Sequence, residues 1–420
     1  MTTLDATVAA AQAGRIVPAG GIVRFGGDAR RFWLLLAHGA ILLMCTLGIY
    51  RFWLTTDIRR YLWSNTELAG ESFEYTGTAR ELLLGFLIAL AILVPLYAAF
   101  FLLALGLGET VSVIGLIVLI LLGQYAVYRA RRYRLTRTVY RGVRFHQTGS
   151  PWRYAACALF WWTLIALTLG LAYPFAQSRL ERFKMRNTFF GNLPGRFEGS
   201  GLRLLLRGFV LWLLAVVPFA GGLLSMLLAV NWRTLASASA RDDLSSWLET
   251  SGLASAVVYG VLTTIWLLLS FALLYPIFQA VVLRWWASGL RFGEVVVTSR
   301  LRTAQVYGVY ARFLLYALLF TAAATVIVVP GSFLLARLTG ELDSMAKEII
   351  TTIAGLTTYV AIALGYSTIY QATVRLGLWR CVVESLDVSN VAVLEQVSAA
   401  GDPASPVGEG LADALSVGGI

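Results

Sequence analysis

The chain has 420 residues, of which 58% are hydrophobic and 14% charged, with a formal net charge of +11. Soluble domains carry roughly 45–50% apolar and about 25% charged residues, so there is too little polar surface here for the two or three soluble domains this length would otherwise make. Disordered and collagen-like chains are excluded too, the first by the apolar content and the second by the lack of a strict glycine period.

Residues 1–20 hold no basic n-region and no long apolar run, so 1–24 read as a soluble N-terminal tail and not a cleaved signal. Eight runs follow that approach the ~20 apolar residues needed to cross a bilayer: 32–50, 82–107, 111–128, 154–175, 202–230, 253–278, 309–330 and 349–370. Gly108 and Glu109 make a tight turn between the second and third. Trp and Tyr collect at segment ends, as at Trp53, Trp63, Trp152, Trp285 and Trp379, the pattern of an interfacial aromatic belt. All cations but Lys184 and Lys347 are arginines, and they lie between the apolar runs. That placement points to the membrane surface and anionic lipid, with no nucleic-acid partner. Protein partners are left open.

The linkers repeat. Arg59-Arg60-Tyr61 and Arg131-Arg132-Tyr133 stand 72 residues apart, and Gly70, Phe73, Thr76 and Gly77 meet Gly142, Phe145, Thr148 and Gly149 at the same offset. Thr46-Leu47-Gly48 matches Thr168-Leu169-Gly170 at 122, and Tyr173-Pro174 matches Tyr275-Pro276 at 102. The unit reads as a short extended piece, an apolar part, a basic aromatic helix in the headgroup layer, and a glycine turn into the next extended piece. Five copies are expected, with extended pieces near Phe25, Phe73, Phe145, Phe197 and Val296; the last has lost its aromatic. The fold class is an all-α polytopic membrane protein of six to eight membrane helices, with basic interfacial helices and short β pieces in the linkers. A repeat-built domain covers 25–383, and 384–420 read as a cytoplasmic C-terminal tail.

The runs Thr46-Leu47-Gly48-Ile49-Tyr50, Arg59 to Thr66 and Phe73-Glu74-Tyr75-Thr76-Gly77, the copy over 168–201, and the ending Gly408-Glu409-Gly410-Leu411-Ala412-Asp413-Ala414-Leu415 are similar to the YjgN family of bacterial inner-membrane proteins. The resemblance covers most of the chain and is weakest after about Trp286. It implies location and architecture, and no activity.

Eight full crossings would divide the loop arginines evenly between the two sides, against the positive-inside rule. Three copies hold two apolar segments and two copies hold one. If every copy starts and ends on one side, 32–50 and 154–175 are re-entrant and break at Thr46-Leu47-Gly48 and Thr168-Leu169-Gly170. Nearly all loop arginines, and both termini, are then cytoplasmic. The outer loops keep Asp242, Asp243, Glu249, Glu341, Asp343 and Glu348. Six crossings with two re-entrant elements are favoured over eight.

No motif for catalysis is present, and Cys45, Cys157, Cys381, His38 and His146 are too scattered for a metal site, so neither enzyme activity nor a cofactor is expected. Arg59, Arg60, Arg131, Arg132, Arg134, Arg182, Arg186 and Arg284 are the candidates for binding an anion or lipid headgroup, because guanidinium forks suit phosphate; the simpler role is topological anchoring. Polar residues at membrane depth are expensive, which singles out His38, Gln124 and Gln279. The expected function is transport or channel activity toward a small or anionic solute. The alternative is a scaffold that binds anionic phospholipid or a protein through the basic aromatic linkers.

Overall fold

The computed structural model describes residues 20–233, 251–401, 404–415 and 417. Helices and strands alternate in five units. The first runs from strand β1 (Gly20–Phe25) through helices α1 (Ala29–Cys45) and α2 (Arg51–Ser64) to β2 (Thr66–Leu68). The second runs from β3 (Glu71–Ser72) and β4 (Glu74–Tyr75) through α3 (Ala79–Leu107) and α4 (Glu109–Thr136) to β5 (Thr138–Tyr140). The third comprises β6 (Val143–Gln147), α5 (Pro151–Leu167), α6 (Tyr173–Arg186) and β7 (Thr188–Phe190). The fourth has β8 (Leu193–Phe197), α7 (Gly201–Ala229), α8 (Leu253–Gly289) and β9 (Leu290–Phe292). The fifth has β10 (Val295–Ser299), α9 (Thr303–Leu338), α10 (Ser344–Tyr370), a π-turn over Gln371–Arg375, α11 (Leu376–Glu384) and β11 (Leu386–Ser389).

Six helices among the described residues are long and apolar enough to cross a membrane: Ala79–Gly106, Val113–Thr136, Gly201–Ala229, Leu253–Gly289, Thr303–Leu338 and Ser344–Glu384. The protein is therefore a multi-pass membrane protein. The segments 32–50 and 154–175 are not among them. Each folds as a helical hairpin whose first arm of 17 residues reaches only ~25 Å, short of the ~30 Å hydrocarbon core. The two breaks share one chemistry. Thr46 Oγ1 donates to Leu42 O (2.6 Å) and accepts from Tyr50 N (3.1 Å), while Thr168 Oγ1 donates to Leu164 O (2.7 Å) and accepts from Ala172 N (3.0 Å). Leu47 (φ 51°) and Leu169 (φ 49°) end the helix in the left-handed region and are followed by Gly48 (φ 91°) and Gly170 (φ 90°), whose N–H groups return to Leu43 O and Ile165 O in a Schellman pattern.

Entry into each unit is also repeated. Three residues after the strand, Asp28, Thr78, Ser150 and Ser200 cap the next helix through their side chains; in the fifth unit the cap is one-sided, Arg302 N donating to Gln305 Oε1 at 3.0 Å. Counted from these caps, Phe25, Tyr75, Gln147, Phe197 and Ser299 are equivalent. The matched pair Phe73 and Phe145 therefore lies two residues earlier in the unit than Phe25 and Phe197. The basic aromatic stretches are return arms running down to the strands. In the second, fourth and fifth units they continue the membrane helix and do not form separate interfacial helices.

The strands form one antiparallel sheet in the order β3-β2-β1-β11-β10-β9-β8-β7-β6-β5-β4. Its two edges, β3 and β4, are the same stretch of chain on either side of Phe73, whose N–H donates to Thr66 O (3.0 Å). The sheet thus closes into a ring and has no free edge. Each long strand bends between two neighbours: β6 pairs with β5 at Val143-Arg144 and with β7 at Phe145–Gln147. The turns Ala69-Gly70 and Arg141-Gly142 have both residues at positive φ, the geometry of a two-residue hairpin.

Parts of both stretches read as tails pack into the fold. β1 belongs to it, while residues 1–19 lie outside the described residues. After β11 comes a 3-10 turn, Val391–Gln396, whose Leu394 is buried in the ring's core. The chain then crosses the β7–β8 turn, where Asn192 N donates to Ser398 O and Ser398 N to Asn192 Oδ1, both at 3.2 Å. It ends as helix α12 (Val407–Ala414) wedged between α3 and α4. Gly410 lies against the backbone of Gly85, so close that a methyl group there would overlap the Gly85 carbonyl. Leu411 and Ala412 pack with Ala89, Leu93, Ala126 and Ala130.

Candidate functional site

Strand alternation sorts the ring's side chains. Thr66 and Leu68, Thr138 and Tyr140, Leu290 and Phe292, Val295 and Val297, and Leu386 and Val388 point inward at every second position. Together with residues of the return arms they line a chamber of about 870 Å³, within the range of small-molecule and cofactor sites. Leu394 closes its far end, and Gln279, Tyr370 and Arg375 stand on the helix side. Three tryptophans line it with their N–H groups satisfied: Trp286 donates to Glu181 Oε2 (3.3 Å), while Trp63 and Trp379 reach the next unit's strand, donating to Thr138 Oγ1 (3.0 Å) and Thr66 Oγ1 (3.1 Å). The indoles of Trp63 and Trp379 stack at 5.1 Å. The wall therefore presents apolar faces with almost no free polar atom.

One sector beside this chamber is cationic. Arg59 is buried; its Nη1 donates to the Tyr75 hydroxyl (3.0 Å) and its Nη2 to Glu409 of α12. Arg134 pairs with the same carboxylate at 3.7 Å. Lys184 pairs with Glu181. Burial lowers the Lys184 pKa; Glu181 opposes that shift, and Arg131 and Arg134 add to it. The Arg131 side chain makes one contact, Nη2 to Met185 Sδ at 3.5 Å, and its buried Nε has no partner. Arg375 reaches Gln371 Oε1 at 3.2 Å and otherwise faces the chamber.

The eight arginines read from the sequence divide in two. Arg59, Arg131 and Arg134 belong to this sector. Arg60, Arg132, Arg182 and Arg284 occupy another position, six residues before the first residue of β2, β5, β7 and β9; Arg380 holds it before β11. Arg60 donates to Gly77 O (3.1 Å), Arg182 to Gly199 O (3.2 Å) and Arg284 to Thr303 Oγ1 (3.5 Å). These three tie the first, third and fourth return arms to the neighbouring strand–helix joint, while Arg380 bonds Glu384 on its own helix. Arg186 is exposed. Of the intramembrane candidates, Gln279 lines the chamber and accepts from the Tyr310 hydroxyl (2.7 Å). Gln124 is half-buried on α4 away from it, and His38 is exposed on the outside of the first hairpin. Sequence reasoning missed Lys184, Glu181, Arg375 and Glu409. The one signal for Glu409 was an acid set between two glycines ahead of a small-residue helix.

A model of bacterial proteins of unknown function, DUF898, matches residues 21–414. The chain belongs to that family. It is also similar to the inner membrane protein YjgN of Escherichia coli (strain K12), at 23% identity over 213 residues. That match covers 50% of this chain and 48% of the relative, so it spans about half the length of each. No solved structure matches. The family match runs from β1 to α12, so it takes in the whole ring, the chamber and the wedged helix.

Proposed function

We propose that this family member is a non-enzymatic, transport-type protein of the inner membrane that receives an amphiphile from the bilayer into the ring chamber, with the ring on the cytoplasmic side. The chamber carries the reading: a lumen lined by alternating apolar side chains suits a hydrocarbon chain and offers little to a hydrated ion. The helix lengths supply access. The first and third units reach only ~25 Å from the ring, whereas the 29 residues of α3 and the 36 of α9 reach ~44 and ~54 Å. Two low places in the wall thus face lipid laterally. The arginine that recurs before the closing strand of each unit supports the cytoplasmic orientation of the ring. Arg60 and Arg182 are tied to backbone carbonyls and Arg284 to a threonine hydroxyl, which supports the chamber over the outer arginine layer as the ligand site.

The test is binding of a fluorescent acyl probe, the methyl ester of cis-parinaric acid, to purified protein. Val297→Trp fills the chamber from β10. Saturable binding that falls at least tenfold in the variant, with thermal stability retained, is the expected result. Equal binding by both proteins overturns the reading.

A further inference from the structure

The chamber's apolar wall and its cationic sector differ in one respect that a purely hydrocarbon ligand leaves unexplained. Among the described residues, Arg59, Arg131, Arg134, Lys184 and Arg375 lie within electrostatic reach of one another in a linked series, against the two carboxylates Glu181 and Glu409. Glu409 serves Arg59 and Arg134, and Glu181 serves Lys184. Among the described residues Arg131 and Arg375 have no ion pair, and both are at least half withdrawn from solvent. A guanidinium held beside an apolar lumen without a counter-charge is costly unless an anion meets it.

The series is confined to one side. At the position seven residues before the closing strand of each unit (β2, β5, β7, β9 and β11), the five units carry Arg59, Arg131, Glu181, Leu283 and Trp379. Four residues before it they carry Leu62, Arg134, Lys184, Trp286 and Val382. The first three units therefore supply charge, and the last two supply Leu283, Trp286, Trp379 and Val382 to the chamber wall. Arg375, one turn further up in the fifth unit, is the cation that lines the chamber itself. The return arms around the chamber are thus charged on one side and apolar on the other.

We infer that the amphiphile bears an anionic head, a carboxylate or a phosphate, received by Arg375 on the chamber wall, with Arg131 adding positive charge from the adjoining sector, while its chain occupies the ring chamber. This rests on the chamber reading above and assigns the chemical class of its ligand. A guanidinium presents parallel N–H donors to either oxyanion. A neutral head leaves both cations uncompensated.

The experiment compares cis-parinaric acid with its methyl ester at pH 8 in wild type, Arg375→Gln, the Arg131→Gln/Arg375→Gln double variant, and Arg375→Lys. Wild type is expected to bind the acid at least about tenfold more tightly than the ester, because hydrogen bonds to charged groups are the strong ones. The double variant should bind acid and ester alike, at the ester's affinity, which also shows that it is folded. Arg375→Lys should keep part of the preference. Lysophosphatidic acid and lysophosphatidylcholine then compete for the acid: displacement by the first and not the second places phosphate among the accepted heads, and displacement by neither restricts the site to carboxylate. Equal affinity of wild type for acid and ester, or an undiminished preference in the double variant, overturns the head-group assignment and leaves the chamber standing. Failure of both probes to bind wild type removes the chamber reading itself.

Discussion

Replacing Glu409 with glutamine removes one charge from a site where both partners are out of water: the side chains of Arg59 and Glu409 are 3% and 7% exposed. Breaking a buried pair from one side costs ~3–5 kcal/mol, because the remaining guanidinium is left uncompensated. Arg134 loses its contact with the same carboxylate. The other forces holding α12 in place are of similar size. Burial of Leu411 contributes ~1.5–3 kcal/mol, and the Asn192–Ser398 pair of hydrogen bonds adds about 1 kcal/mol each. At ~1.4 kcal/mol per factor of ten, Glu409→Gln should raise the population with α12 undocked by about two to three orders of magnitude. Hydrogen exchange over 404–415 and protease cleavage near 397–401 read this directly. Both should accelerate at least a hundredfold in the variant while exchange in the ring strands stays slow. A second variant, Arg59→Met with Glu409→Met, removes both charges and should recover much of the protection. Unchanged exchange at 404–415 in Glu409→Gln would refute the argument that the ion pair docks the helix.

Three further outcomes are expected. Cysteines at Gly108 and at Gly142 should label from opposite sides of the membrane, since one joins two crossing helices and the other is a ring turn; labelling from one side sinks the arrangement. Gly142→Ala should lower stability by ~1–2 kcal/mol, the cost of a left-handed φ for a residue with Cβ, because nothing lies within 4 Å of the new methyl and backbone strain is the sole effect; an unchanged melting temperature contradicts the turn geometry. His146 stacks on Phe189 at 5.1 Å, and burial, then Arg132, lowers its pKa. A depressed folded-state value for histidine means that its contribution is complete above the ordinary pKa of about 6.5 and is lost as pH falls below it. Melting temperature should therefore drop more between pH 7 and 5 in wild type than in His146→Gln, and parallel profiles would remove His146 as a cause.

The sequence carried the repeat because the repeated parts are local. Thr-Leu-Gly breaks a helix within one turn, and a cap three residues after a strand needs no distant partner. The alternation of Glu71-Ser72-Phe73-Glu74-Tyr75 was enough to suggest a strand, yet pieces of two to six residues do not say what they pair with, so the ring stayed hidden. Which arginine faces inward was equally out of reach. Arg59 and Arg60 are adjacent and alike in composition, but one lies beside the chamber and the other ties two units together, a distinction set by the rotation of the return arm about its axis. Glu409 was the hardest to place, because its partner Arg59 is 350 residues away in the chain. The unequal units, by contrast, were legible from apolar segment count alone, and the short hairpins of the first and third units follow from it.

The pairing of β1 with β11 has a consequence for synthesis. Every other seam of the ring joins strands within a unit or between consecutive units, so those seams can form as the chain emerges. The last seam joins residues 20–22 to 387–389. A nascent or truncated chain lacking β11 exposes two unpaired strand edges, at β1 and β10, each a template for pairing with another chain. Synthesis of β11 is thus written into the ring as a structural checkpoint, readable by any protease or chaperone that recognises an open edge.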